Sequence, residues 1–107
     1  MLDAAKAILG FTQGLDFATF SRDRRTVDAT VRNFEIMGEA ARGVPEDVRE
    51  RCRTVPWSDM SDMRNVLIHE YIGVDLAIVW ETIQSDLPPL VAELERILRE
   101  NEANDRT

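Results

Sequence analysis

"RRTVDATVRNFEIMGEAAR", Arg24 to Arg42, decides the fold class. Val27, Val31, Phe34, Gly38 and Ala41 recur at the 3.6-residue period and form one apolar stripe, with Thr30 and Met37 at its edge. Gly38 in mid-helix costs about 1 kcal/mol against alanine, so its use there marks the close approach of a neighbouring helix. Gly43 and Pro45 end this helix and start a short one over "PEDVRERC", residues 45–52.

Reading outward, the pattern stays helical. "LDAAKAILGF", residues 2–11, reads as a short helix that Gly10 to Gly14 bring to an end. It opens without a capping residue, so a further turn or two is expected ahead of it. "GLDFATFSRD", residues 14–23, reads as a turn of mixed residues. Downstream, "TVPWSDMSDMRNVLIHEYIG" reads as a loop, a helix from Trp57 or Ser58, and a stop at Gly73. Asp75 opens the next helix, whose Leu76, Val79, Trp80 and Ile83 make an apolar stripe. Pro88 and Pro89 break it and begin a last helix with Leu90, Leu94 and Ile97 inward; the polar tail after Glu102 is expected to fray. Period-two alternation is absent, so no strands are expected. The reading is a single domain over residues 1–107, an all-α, up-and-down bundle of about five helices.

Composition narrows the function. One cysteine, Cys52, makes no internal disulfide, and no Cys/His cluster exists to hold zinc. No apolar run approaches the ~20 residues of a membrane span and no signal peptide is visible, so a soluble, cytoplasmic protein without membrane contact is expected. The net charge of −7 opposes non-specific nucleic-acid binding. That charge is uneven: Arg22 to Arg53 holds eight arginines against seven acids, whereas from Thr54 onward four arginines face eleven acids. A nucleic-acid substrate therefore requires a local cluster that overrides the global field.

Such a cluster is offered by "MRNVLIHEY", Met63 to Tyr71, which contains the only histidine and the only tyrosine of the chain. At about 100° per residue, Ser58, Asp62, Asn65 and His69 fall on one strip, and Met60, Met63, Leu67 and Tyr71 on another with Arg64 beside them. Arg64 lies about 140° around from His69 on a straight helix, so either its long side chain or a second copy of the strip must close the gap. One reading is a core histidine satisfied by Asn65 or Asp62, with Arg64 snorkelling at an edge. The other is a phosphate-handling site. Histidine is matched to proton transfer near neutral pH, and the arginine fork fits phosphate oxygens. Without any metal the pair suits internal transesterification of RNA, with His69 moving the proton and Arg64 meeting charge on the phosphorane-like transition state.

"RNVLIHEY" resembles the Arg-x4-His-x-Tyr motif of the HepT-like toxins, a branch of the higher eukaryote and prokaryote nucleotide-binding superfamily. The resemblance extends over "RTVDATVRNFEIMGEAAR", "VPWSDMSDMRNVLIHEYIGVDLAIVWETIQSDLPPL" and the closing amphipathic helix. The family's opening turn is expected to lie ahead of these residues. The resemblance implies a helical bundle acting as a homodimer, with Arg64 and His69 as the catalytic pair of a metal-independent endoribonuclease that needs no cofactor. Asn65 matches a supporting polar residue. Tyr71 matches the tyrosine to which a partner antitoxin, a minimal nucleotidyltransferase, adds AMP to silence the toxin. A non-catalytic, nucleotide-binding partner of that nucleotidyltransferase is the alternative.

Other candidates rank lower. Asn33, Glu35 and Glu39 read first as a solvated helix face. Trp57 and Trp80 read as core anchors rather than base-stacking platforms. Cys52 has no base beside it, and Arg49, Arg51 and Arg53 read first as solvated.

Overall fold

In the computed structural model of the chain, backbone is described for residues 1–69 and 75–105, and side chains for residues 1–63 and 75–101. Within them the chain forms α1 (Leu2–Thr12), α2 (Phe17–Arg22), α3 (Arg24–Arg42), α4 (Glu46–Arg51), α5 (Trp57–His69), α6 (Leu76–Ser85) and α7 (Leu87–Asp105). The all-α expectation holds, and no strand occurs among the described residues. Five of these helices are long, and α2 and α4 are six-residue pieces.

α2 replaces the turn expected over residues 14–23. Its cause is local: the Asp16 carboxylate accepts from the Thr19 amide at 2.8 Å, an N-cap that fixes the first turn. Asp23 repeats the device for α3, accepting from both the Thr26 amide and hydroxyl. The Thr19 amide bond and the Thr26 hydroxyl bond are the main reasons why Asp16 and Asp23 are held below the usual carboxylate range. Between α1 and α2, Gly14 sits at φ +79, a backbone conformation that a side chain would strain. At the far end, Pro88 and Pro89 fall inside the first turn of α7, where a missing N–H costs little. That helix runs to Asp105, past the fraying expected after Glu102.

Packing explains where the α3 stripe departs from expectation. Thr30 (0% exposed) and Met37 (2%) are buried to the same degree as Phe34 and Ala41, whereas Val27 and Val31 are only partly covered. α3 packs against α5, α1 and α2, so its covered arc is wider than one stripe. Gly38 lies in that arc and is buried. Around α3 close Ala5 and Ile8 of α1, Phe20 of α2, Val79 and Ile83 of α6, and Leu87, Leu90 and Leu94 of α7. At about 25 cal/mol per Å² of apolar surface removed from water, this cluster is the main stabilising term.

Helix directions follow from two contacts. The Phe20 ring lies 5.1 Å from Trp80, which puts the end of α2, and so the start of α3, against the first half of α6. Further along, Phe34 and Met37 of α3 line one cleft with Met60 and Met63 of α5 and with Thr82 and Asp86 at the end of α6. α3 and α6 therefore run in the same sense. α5 packs along α3.

Candidate active site

α5 is built from a half-apolar sequence that buries one line of residues. Pro56 ends the preceding loop, its carbonyl accepting from the Met60 amide at 3.1 Å. Met60 is 7% exposed and Met63 is half-buried, whereas Ser58 and Asp62 are exposed. Asn65 and His69 share the helical register of Ser58 and Asp62, and that register is on the solvent side where it is described. The backbones of Arg64, Asn65 and His69 belong to α5; their side chains lie outside the described residues, as does Tyr71. The expected stop at Gly73 also lies outside them.

The supporting candidates are distributed over the bundle. Asn33 donates its side-chain amide to the Ala29 carbonyl at 2.8 Å, and Glu35 meets Arg32 at 3.5 Å, so both are engaged along α3 itself. Trp57 is half-buried and its indole N–H donates to the Cys52 carbonyl at 3.0 Å, closing the loop before α5. Trp80 is half-buried between Phe17 and Phe20. Both tryptophans act as anchors, as their helical positions suggested. Cys52 is a half-buried free thiol.

Two arginine groups take different ends of the bundle. Arg49, Arg51 and Arg53 stand where α5 begins; Arg51 pairs with Asp47 at 3.4 Å, and the Arg49 Nε is buried without a hydrogen-bond partner. Arg22, Arg24 and Arg25 are exposed around the start of α3. Arg24 and Arg25 occupy the first turn of α3, where the helix dipole disfavours cations by a few tenths of a kcal/mol each. Sequence reading had weighed only the Arg49–Arg53 group. The unfavourable placement of Arg24 and Arg25 against the helix dipole was the signal that pointed to the other.

Among the described residues no group of three or more His, Cys, Asp or Glu side chains is placed to hold a metal ion. No helix among them is long and apolar enough to cross a membrane.

Comparison with known proteins gives a consistent result. The profile of the family described as "Ribonuclease HepT-like" matches residues 1–97. The "Probable ribonuclease HepT" of Thermococcus cleftensis is 37% identical over 95 residues, covering 89% of this chain and 86% of that protein. A "Putative RNase" of Caldanaerobacter subterraneus is 37% identical over 99 residues, covering 92% and 88%. Another "Putative RNase", from Methanocaldococcus jannaschii, is 34% identical over 105 residues, covering 98% and 87%. No solved structure matches the chain.

Proposed function

The chain belongs to the HepT-like ribonuclease family, and on that footing we propose that it is the toxin of a toxin–antitoxin pair, a metal-independent endoribonuclease. The observation that carries this reading is the family match across residues 1–97, which spans Arg64, Asn65, His69 and Tyr71 in the Arg-x4-His-x-Tyr order. In the proposed reaction the ribose 2′-hydroxyl attacks its own phosphate and the 5′-oxygen leaves, giving a 2′,3′-cyclic phosphate. His69 transfers the proton, Arg64 stabilises charge on the phosphorane, and Asn65 orients the imidazole. RNA is the substrate class, and Arg22, Arg24 and Arg25 supply local positive charge in an otherwise acidic chain.

The active form is a homodimer. The ~140° between Arg64 and His69 on one helix supports it, since a second copy of the strip can close that gap. Silencing is by AMP addition to Tyr71 by a cognate minimal nucleotidyltransferase, which sets a new phosphate beside Arg64 in competition with the RNA phosphate.

Incubation of the purified protein with total RNA in EDTA, beside His69→Ala, tests the reaction. Metal-free cleavage that His69→Ala abolishes supports it; equal cleavage by both proteins refutes it. The acidic balance, eleven acids against four arginines from Thr54 onward, favours a second reading as a nucleotide-binding partner of the nucleotidyltransferase. Nucleotide binding by a protein inert on RNA would select that reading.

A further inference from the structure

Between α3, the first half of α5 and the α6–α7 junction the bundle keeps an open cleft of about 390 Å³. Its floor is apolar, built by Phe34, Met37, Met60, Met63, Leu87 and Leu90. Its mouth is acidic, with Asp59, Asp86 and Glu93. Those three carboxylates differ in one respect. Glu93 already accepts from the Thr54 hydroxyl and from Arg96, so its charge is met within the bundle. Asp59 and Asp86 are exposed, and among the described residues neither carboxylate forms a hydrogen bond or ion pair.

The backbone reinforces the sign of this mouth. Asp86 caps the C-terminal end of α6, where the helix dipole is negative. α7 follows at once, but Pro88 and Pro89 leave its first turn short of N–H groups that would otherwise offset that field. Over longer range, every lining residue except Phe34 and Met37 belongs to the part of the chain where acids outnumber arginines eleven to four. A nucleic-acid backbone meets the wrong sign here. An apolar group flanked by cations meets the right one.

We propose that this cleft is a docking site for a segment of a partner protein that presents one large apolar side chain flanked by lysine or arginine. Its volume falls within the range of about 300–1,000 Å³ that ligand sites occupy, enough to take such an anchor. The two unpaired carboxylates then supply orientation and faster encounter rather than most of the affinity.

The test uses the whole chain and a fluorescein-labelled hexapeptide, Lys-Lys-Leu-Trp-Lys-Lys amide, read by anisotropy without RNA; its outcome is therefore independent of ribonuclease activity. The expected result is saturable binding that weakens with salt and is absent for the probe in which glutamate replaces lysine. The double variant Asp59→Asn/Asp86→Asn, altered only at exposed positions, should bind roughly tenfold more weakly at low salt. Thr82→Phe fills the cleft from the α6 wall and should abolish binding, with an unchanged far-UV spectrum as the folding control. Equal affinity for the two probes, or for the wild type and the double variant, overturns the proposal. So does conversion of a dimer to monomers by Thr82→Phe, which would make a second copy the occupant. Displacement of the probe by octylamine at equal concentration would make the cleft a small-molecule site and also overturn it.

Discussion

Replacing Phe20 by alanine removes the ring that ties α2 to α6. Phe20 is 0% exposed, and its centroid lies 5.1 Å from that of Trp80. Deleting a buried phenylalanine costs about 3–5 kcal/mol, of which about 0.5–1.5 kcal/mol belongs to an aromatic pair of this kind. A chain of 107 residues is stable by roughly 5–16 kcal/mol in all, so Phe20→Ala removes a large fraction of it. Its unfolding entropy is about 225 cal/mol/K, which converts the loss to a fall in Tm of about 13–22 °C. The site should feel it as well, because α2 and α5 both pack against α3. Thermal melts followed by circular dichroism at 222 nm measure the first effect, and cleavage of RNA well below the variant's Tm measures the second. Phe20→Leu, which restores most of the volume, should recover more than half of both. A fall of under about 5 °C for Phe20→Ala would refute the view that this contact holds α2 and α6 in register.

Four further outcomes are expected. Arg64→Ala and His69→Ala should each lower the cleavage rate by on the order of 10²–10⁴ with little change in Tm, read by gel assay beside a melt. Tyr71→Phe should stay active but escape silencing, so mass spectrometry of the protein co-expressed with its nucleotidyltransferase should show no AMP addition; AMP persisting on the variant would mean that another residue is the acceptor. Arg96, chiefly, holds Glu93 down from the usual 4.5 to about 2. The stability from its ties to Arg96 and Thr54 is thus present above pH 4.5 and lost as the pH falls toward 2, and Glu93→Gln should flatten the urea midpoint over that window. Thr30 is fully buried with its hydroxyl unpaired, so Thr30→Val, of equal shape, should raise stability by about 1 kcal/mol in a denaturant titration.

The long helices were legible because their signals are long. Over Arg24–Arg42 the apolar period repeats through five turns, and Asp23, Gly43 and Pro45 punctuate it at both ends. α2 was missed because six residues give no period to count; only the Asp16 cap announced it, and a cap also fits a turn. The burial of Thr30 and Met37 was misjudged for a different reason. A stripe drawn on one helix assumes one neighbour, and α3 has helices on several sides. For the site, the resemblance to the HepT-like motif named Arg64, Asn65, His69 and Tyr71, whose side chains lie outside the described residues. The relative sense of α3 and α6 became readable only when Phe20 met Trp80, because ring contacts between distant segments carry directional information that a linear pattern lacks.

Asp86 has a consequence for how this domain tolerates change in length. It is the one residue between Ser85 and Leu87, so α6 and α7 are two rods joined at a single hinge. An inserted residue there would turn α7 by about 100°. Leu90 and Leu94 would swing off the core, and Glu95 away from Lys6, which it meets at 2.9 Å across from α1. The links around α4, residues 43–45 and 52–56, have no such lever, since slack there is taken up before the next long helix begins. Length variants of this chain should therefore accumulate around α4 and be absent between residues 85 and 87.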